Sequence, residues 1–528
     1  VRTIRLLTLL VFFALLAMPA AATKYMDSSA GDGGDGSYAS PWNEPSDISG
    51  MTSGENLYIK CGSSFNSRFI ITWGGTSGDP VVIGAYYPGP IIGVNGDGRP
   101  VIDGLDTIPS TQSYGLFEIA NYQNYVELHD LVIQNSNGMG VKFTTDTDYC
   151  GLRRCVVDGS YNEAVYFSGS SSYGIIEHSD IKNGAYSRIV LAATSECFGW
   201  PGMIKPSAYC TIRYSWIHDS YAEGINVLNG NQIYGNLIGD TISVALNVNA
   251  RHDVSIRNNI IYGTDRTLFN NIPNCSSSQG NWKGTGIAVG LEVSGVTGNL
   301  YNVKINNNII INRGAGFRSY NSNTQGYVVV NFDFVNNTLI DNRYSFHISD
   351  DDGSLDAIQV WIRNNGSYTF HADSNHTQNN DATADGFMAS NNQWGGPADV
   401  PPSGGLLDGP NDVTTNPAPN RTSWKGSMPT DAAAIALFDL LDILPTAGAE
   451  DAGADLGQDY QNAFDASGTD FTAFPSITVA LANQYEHGDA YDIGAIVKIH
   501  TPETQNIFYG AVRQTSSYGA GRQTSSYG

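Results

Sequence analysis

Three stretches, Ile256-Arg-Asn-Asn-Ile-Ile261, Ile305-Asn-Asn-Asn-Ile-Ile310 and Phe334-Val-Asn-Asn-Thr-Leu339, share one pattern: an apolar residue, four mostly polar residues and a second apolar residue. The same unit recurs at Leu128–Ile133, Leu152–Val157, Ile176–Ile181, Ile212–Ile217 and Ile233–Ile238. The second apolar positions lie 24, 24, 36, 21, 23, 49 and 29 residues apart. The base period is therefore about 21 to 24 residues, with insertions near 196–208 and 270–285, and such a period marks a solenoid.

A second short strand follows each unit: Val141-Lys-Phe143, Val165-Tyr-Phe167, Ile189-Val-Leu191, Ile225-Asn-Val227, Val244-Ala-Leu246, Phe317-Arg-Ser319 and Phe346-His-Ile348. Alternation of period two turns the outer residues of each triplet inward and the middle one outward. Two positions before the second anchor the later units carry Asn236, Asn259, Asn308 and Asn337. Stacked in register, these amides predict a hydrogen-bonded internal ladder. One coil cannot bury its own apolar face, so the stack of coils is the core.

The pattern resembles right-handed parallel β-helices. The resemblance extends to Tyr25–Trp42, Leu57–Phe65, Gly75–Gly89, Pro100–Gly104 and Asp492–Val497, which look like the ends of secreted proteins of the pectate-lyase-like superfamily. It implies an all-β, single-stranded right-handed parallel β-helix with capping segments and a short C-terminal helix. The superfamily hosts polysaccharide lyases, glycoside hydrolases, epimerases and adhesins, so the fold does not choose an activity. No pectate-lyase Trp-Ile-Asp-His tetrad and no polygalacturonase Asn-Thr-Asp or Gly-His-Gly string is present, and no family active-site residue is carried over.

Arg2 and Arg5 followed by the apolar run Leu6–Met18 and Ala20-Ala21-Ala22 predict a secretory signal over 1–22. The expected layout is then an N-terminal cap and first coils at 23–110, the regular β-helix at 111–395, a C-terminal loop, helix (Thr430–Leu444) and terminal coils at 396–500, and a low-complexity tail at 501–528 with a duplicated Arg-Gln-Thr-Ser-Ser-Tyr-Gly. The tail is expected to be disordered, with self-association through its Tyr and Arg residues as the alternative. With 27 Lys+Arg against 51 Asp+Glu, the net charge of −24 excludes a basic nucleic-acid footprint. No membrane partner is expected once the signal is cleaved. Six cysteines permit three disulfides, and proximity favours Cys150–Cys155 and Cys197–Cys210, leaving Cys61 and Cys275. Asn274, Asn336, Asn365, Asn375 and Asn420 head glycosylation triplets.

Outward positions after the anchors gather Lys142, Tyr166, Arg188 and Asn226, with Glu163 and Glu223 in the related strings Ser160–Val165 and Ser220–Ile225. This set suits an extended polysaccharide. The two Glu residues should lie two rungs apart, about 9.6 Å at about 4.8 Å per rung, with Arg188 between. In a β-elimination, Glu163, Glu223 and Asp219 would hold Ca²⁺ against a uronate carboxylate while Arg188 or Lys142 takes the C5 proton. In an inverting hydrolysis the two Glu residues would be acid and base. Strict alternation instead turns both Glu side chains inward, as partners of turn amides. Arg318 is expected to line a distal subsite or nothing, and His347, a substrate-binding candidate on the same face, otherwise reads as a lone surface or structural histidine. His218 has no ligand spacing and reads as structural, as does the acidic turn Asp350–Gly353. Gly31–Gly36 resembles a calcium turn through Asp32 and Asp35. The expectation is a secreted carbohydrate-active enzyme; the alternative is a non-catalytic cell-surface or matrix protein.

Overall fold

The computed structural model describes residues 23–185, 202–263, 284–291, 300–321, 327–348, 355–363, 365–368, 375–379, 387–390, 392–395, 460, 462–465, 469 and 478–484. Each coil passes through three strands in turn. Val126–His129, Val132–Ser136 and Met139–Phe143 make one coil; Gly151–Arg153, Val156–Ser160 and Val165–Phe167 make the next. Equivalent strands pair in parallel from coil to coil. Among the described residues they build a 14-stranded sheet one, a 12-stranded sheet two and an 11-stranded sheet three. The protein is a right-handed parallel β-helix.

The two predicted anchor columns, Leu128 to Phe334 in sheet one and Ile133 to Leu339 in sheet two, stack in register. All of these side chains are at most 1% exposed. One hydrophobic cluster runs from Met26 to Ile362 without a break between coils. Residues 56–71 and 81–119 supply coils of the same three sheets.

The four polar residues between anchors conceal a corner. Two positions after the first anchor the backbone turns left-handed, with φ of 54° at Asn258 and 55° at both Asn307 and Asn336. Asn reaches that region more readily than most side chains. The next residue points into the helix, where its N–H has no strand to meet. The N–H of Asn236 donates to Asn259 Oδ1, that of Asn259 to Asn308 Oδ1 and that of Asn308 to Asn337 Oδ1, all at 3.0 Å. Each Nδ2 also reaches a main-chain carbonyl, as Asn308 does to Ile256 at 3.0 Å. The ladder is longer than the sequence reading expected. It continues through Asn365 and Asn392, and backwards as Ser215 and Ser179 to Cys155, whose N–H donates to Ser179 Oγ.

The cysteine pairing is corrected. Cys61, Cys150, Cys155 and Cys210 are buried free thiols. Cys150 and Cys155 stand at opposite ends of the extended strand Gly151–Arg153. The chain then turns a left-handed corner at Arg154, φ 54°, and the two thiols have separate partners: Cys150 Sγ reaches the Gln123 and Asp148 carbonyls, Cys155 Sγ those of Leu128 and Arg153. Burial pushes both thiols up to about 12. Cys197 and Cys275 lie outside the described residues, as do the signal segment, Asp350–Gly353, Thr430–Leu444, Asp492–Val497 and the tail.

The insertion expected near 196–208 does not include 202–205, because Gly202–Lys205 is a strand of sheet three. Near the C-terminus, Asn462–Phe464 and Leu481–Asn483 form an antiparallel pair. It joins the helix through Asn307 Nδ2 donating to the Asn462 carbonyl and the Tyr460 hydroxyl donating to Asp333. Among the described residues no helix is long and apolar enough to cross a membrane.

Removing the Asn308 amide strands the N–H of Asn259 and the Ile256 carbonyl on the preceding coil, and each such loss costs about 1–3 kcal/mol. Asn308→Ala is expected to lower the melting temperature followed by circular dichroism, and an unchanged value would exclude the ladder as a stabilising contact. Cys61, Cys150, Cys155 and Cys210 should resist alkylation in the native protein and label fully in denaturant without reductant, as peptide mass mapping can show.

Candidate functional site

The three outer faces differ in what they leave available. Sheet one carries a closed ion ladder: Glu127 accepts from Arg153 at 2.9 Å, Arg153 pairs with Glu177, and Glu177 accepts from Arg213 at 2.7 Å. The hydrogen bond to His129 and then the Arg153 charge hold the Glu127 carboxyl down to about 2. Sheet two turns apolar from Leu237 onward, and Leu237, Ile260, Tyr262, Ile309, Ile311 and Ile340 are at most 2% exposed although they point away from the core. Sheet three is the face that presents mixed polar and cationic groups.

On sheet three the outward positions form one column: Glu118, Lys142, Tyr166, Lys205, Asn226, Asn247, Ala288, Arg318 and His347. Five sequence-predicted residues, Lys142, Tyr166, Asn226, Arg318 and His347, therefore share a single stripe. Arg188 lies outside the described residues, and its expected rung belongs to Gly202–Lys205, so Lys205 stands between Tyr166 and Asn226. Lys205 Nζ sits 5.1 Å from the centre of the Tyr166 ring and has no carboxylate partner among the described residues. Lys142 donates to the Ser113 carbonyl at 2.8 Å and lies over Tyr114.

Glu163, Gly202 and Glu223 form a second column beside the first, so the two carboxylates are two rungs apart as expected. Their inward parity is corrected. Ala164 and Val165 both face the core at a corner, which shifts the alternation by one residue and turns Glu163 to the outside. Glu223 Oε1 accepts from Asn247 Nδ2 at 2.8 Å, which places it against the outward stripe. Both Glu residues are buried, at 7% and 3% exposure. Gly202 stands between them and leaves room for the Asn226 amide: a Cβ there would lie 1.6 Å from Asn226 Oδ1 and displace that side chain. That Asn226 oxygen is itself buried and without a hydrogen-bond partner.

Sequence reading missed Lys205, Gly202 and Asn247. Met203-Ile204-Lys205 shows the strand alternation but sits just after an insertion, and the triplet Val244-Ala-Leu246 was read one step early in place of Leu246-Asn-Val248. Further along, Arg318 and His347 occupy adjacent rungs and are buried. Burial and then the Arg318 charge hold His347 down to about 4, so its imidazole is neutral at physiological pH.

Asp219 does not join the two Glu residues. It sits at a left-handed corner of sheet two, φ 55°, with Oδ2 2.6 Å from His218 Nδ1. His218 Nε2 lies 3.0 Å from Asp180 Oδ1, and its ring stacks on Trp216 at 3.8 Å. The Glu163, Glu223 and Asp219 ligand set is therefore corrected: among the described residues no three His, Cys, Asp or Glu side chains converge to hold a metal ion. In Gly31–Gly36, Asp32 accepts from Asn43 and Asp35 from the Ser37 amide, so both carboxylates are engaged in local turns. A cleft of ≈ 580 Å³ beside them is bridged by the Lys60–Asp27 ion pair at 2.6 Å.

No protein-family profile matches the chain, and no curated protein does. Among solved structures it is similar to pectate lyase Pel9A, with 15% identity over 90% of this chain and 96% of that one and a TM-score of 0.45. It is also similar to an alginate lyase from Paenibacillus sp. str. FPU-7, with 14% identity, 65% and 97% coverage and a TM-score of 0.38. A GH136 lacto-N-biosidase from Eubacterium ramulus gives 14% identity, 70% and 67% coverage and a TM-score of 0.43. Likeness at this level concerns the winding of the chain alone.

The His218 cluster sets a pH dependence of stability. Burial alone would lower the His218 pKa, but hydrogen bonds to Asp180 and Asp219 outweigh it and the net shift is upward. Burial likewise opposes ionisation of Asp180, and the His218 bond reverses it to a net lowering. Below the unfolded His value of about 6.5 the imidazolium contribution is complete, and it is lost as pH rises through the raised folded pKa. The Asp180 contribution is complete above about 3.9 and lost as pH falls through its lowered pKa. Melting temperature should decline above pH 6.5 in the wild type and more weakly in His218→Gln; parallel curves would remove His218 as the source.

Proposed function

We propose that the protein binds an extended, uronate-containing polysaccharide along the outer stripe of sheet three and cleaves it by β-elimination near the Glu163 and Glu223 rungs. The observation that carries this reading is the stripe itself: Lys142, Tyr166, Lys205 and Asn226 stand on four consecutive rungs beside two buried carboxylates. Rungs about 4.8 Å apart match the rise of a stretched glycan, so successive sugars meet successive coils. In a chain of net charge −24, Lys142 and Lys205 are the cationic contacts this stripe offers to an anionic ligand.

The roles follow from position. Lys205 meets the uronate carboxylate and acidifies the adjacent C5 proton. Glu163 or Glu223 takes that proton, and the Tyr166 hydroxyl protonates the departing C4 oxygen. Asn226 stands beside the two Glu residues as the amide nearest the reacting sugar, and Arg318 and His347, buried on later rungs, are given no contact in this scheme. Hydrolysis by the two Glu residues is the second reading, since two rungs, about 9.6 Å, sit at the upper edge of the roughly 6.5–9.5 Å span of inverting pairs. Secretion fits this substrate class. The cationic side chains neutralise the uronate in this scheme, and calcium is an added bridging ion to be tested.

With polygalacturonate, alginate and glucuronan as substrates, ultraviolet absorbance should report the new C4–C5 double bond. Lys205→Ala is expected to reduce kcat/KM at least about tenfold and Glu223→Gln about a hundredfold or more, and added chelator measures the calcium requirement. New reducing ends without a double bond would replace elimination by hydrolysis. Binding without either product would make the stripe an adhesive face.

A further inference from the structure

Around the corner from the sheet-three stripe lies a cavity of ≈ 550 Å³ whose lining includes Asp106, Asn137, Asp158, Tyr161, Asn183 and Tyr221. It has a repetitive construction. Tyr161 and Tyr221 occupy the same turn position two coils apart, since the Tyr161 N–H donates to the Ser136 carbonyl and the Tyr221 N–H to that of Gly184. The coil between them carries only Gly184 and Ala185 at that place. Two aromatic side chains therefore flank a gap two rungs wide, about 9.6 Å, which is the scale of a pyranose ring held between them.

The polar groups around the gap are acceptors. Asp158 Oδ1 takes a hydrogen bond from Asn183 Nδ2 at 2.7 Å, which fixes the carboxylate. Its Oδ2 lies 3.9 Å from Lys182 Nζ, beyond hydrogen-bond reach, and Lys182 is held closer by Asp180 at 2.9 Å. Asp106 has its backbone in the left-handed region at φ 56° and its carboxylate has no hydrogen-bond partner among the described residues. Asn137 Nδ2 is committed to the Pro109 carbonyl at 3.1 Å, and its Oδ1 has no hydrogen-bond donor among the described residues. Sugar hydroxyls are donors that fixed carboxylate and amide oxygens accept, and aromatic faces cover the apolar C–H face of the ring. Two carboxylates in the lining, with the neighbouring lysine already paired, repel a uronate.

The geometry points to a second glycan-binding site in this cavity, selective for an uncharged pyranose, distinct in charge from the cationic stripe. Tyr161 and Tyr221 stand two residues before Glu163 and Glu223 in the chain, so the cavity opens on the same coils as the stripe. A polymer with an acidic backbone and neutral side branches would fill both at once. Binding in the cavity stands by itself and does not depend on cleavage at sheet three.

The test is calorimetric titration of the full chain with cellotetraose, mannotetraose, xylotetraose and galactotetraose, and with tetragalacturonate for comparison. At least one neutral tetrasaccharide should bind, and Tyr161→Ala and Tyr221→Ala should each weaken it at least tenfold at unchanged melting temperature. Asp158→Asn should weaken it as well, while Lys205→Ala, on the stripe, should leave it unaltered. Tetragalacturonate should not displace it. The inference is overturned if no neutral tetrasaccharide binds, if binding survives both tyrosine variants, or if Lys205→Ala abolishes it.

Discussion

At the corners between sheets one and two from Cys155 to Asn365 a single backbone N–H turns into the interior and is met by a side chain rather than by a strand. A side-chain oxygen from the next coil accepts it, and the same side chain's amide donates to a carbonyl of the previous one. A buried N–H left without an acceptor is costly, so each coil is held to the same corner at the same height. The stacking of anchors, the parallel register of all three sheets and the placement of outward residues in columns follow from that requirement. Serine serves where the coils begin and asparagine where they continue, because both present an oxygen at short reach.

A stack of this kind faces solvent on three sides, and each side must deal with its own side chains. Sheet one cancels its charges along the ladder from Glu127 to Arg213. The later part of sheet two is apolar and buried. Sheet three keeps Lys205 without a carboxylate partner among the described residues and holds two buried glutamates beside it, one of them bonded to Asn247. Gly202 matters here as an absence: by carrying no Cβ it lets Asn226 lie across the gap between Glu163 and Glu223.

Much of this was legible in the chain. Apolar anchors at a steady period and an asparagine two places before the second anchor were enough for the winding, the interior ladder and the alignment of Lys142, Tyr166, Asn226, Arg318 and His347 in one stripe. Local geometry defeated the finer readings. Glu163 was turned the wrong way because a corner places Ala164 and Val165 both inward and resets the alternation. Cys150 and Cys155, close in number, are separated by an extended strand. The rung assigned to Arg188 belongs to Gly202–Lys205, because an insertion delays the next strand by an amount that periodicity does not specify.

The sequence by itself determined which residues lie inside, since apolar spacing and the need to satisfy corner amides act on each coil locally and repeat. Only the tertiary structure decided which outward residues become neighbours. Lys205 meets Tyr166, Glu223 meets Asn247, and Tyr161 faces Tyr221 across a gap because coils of unequal length are brought to equal height by main-chain hydrogen bonding. Lateral contacts between coils depend on that register, and no single coil carries the information.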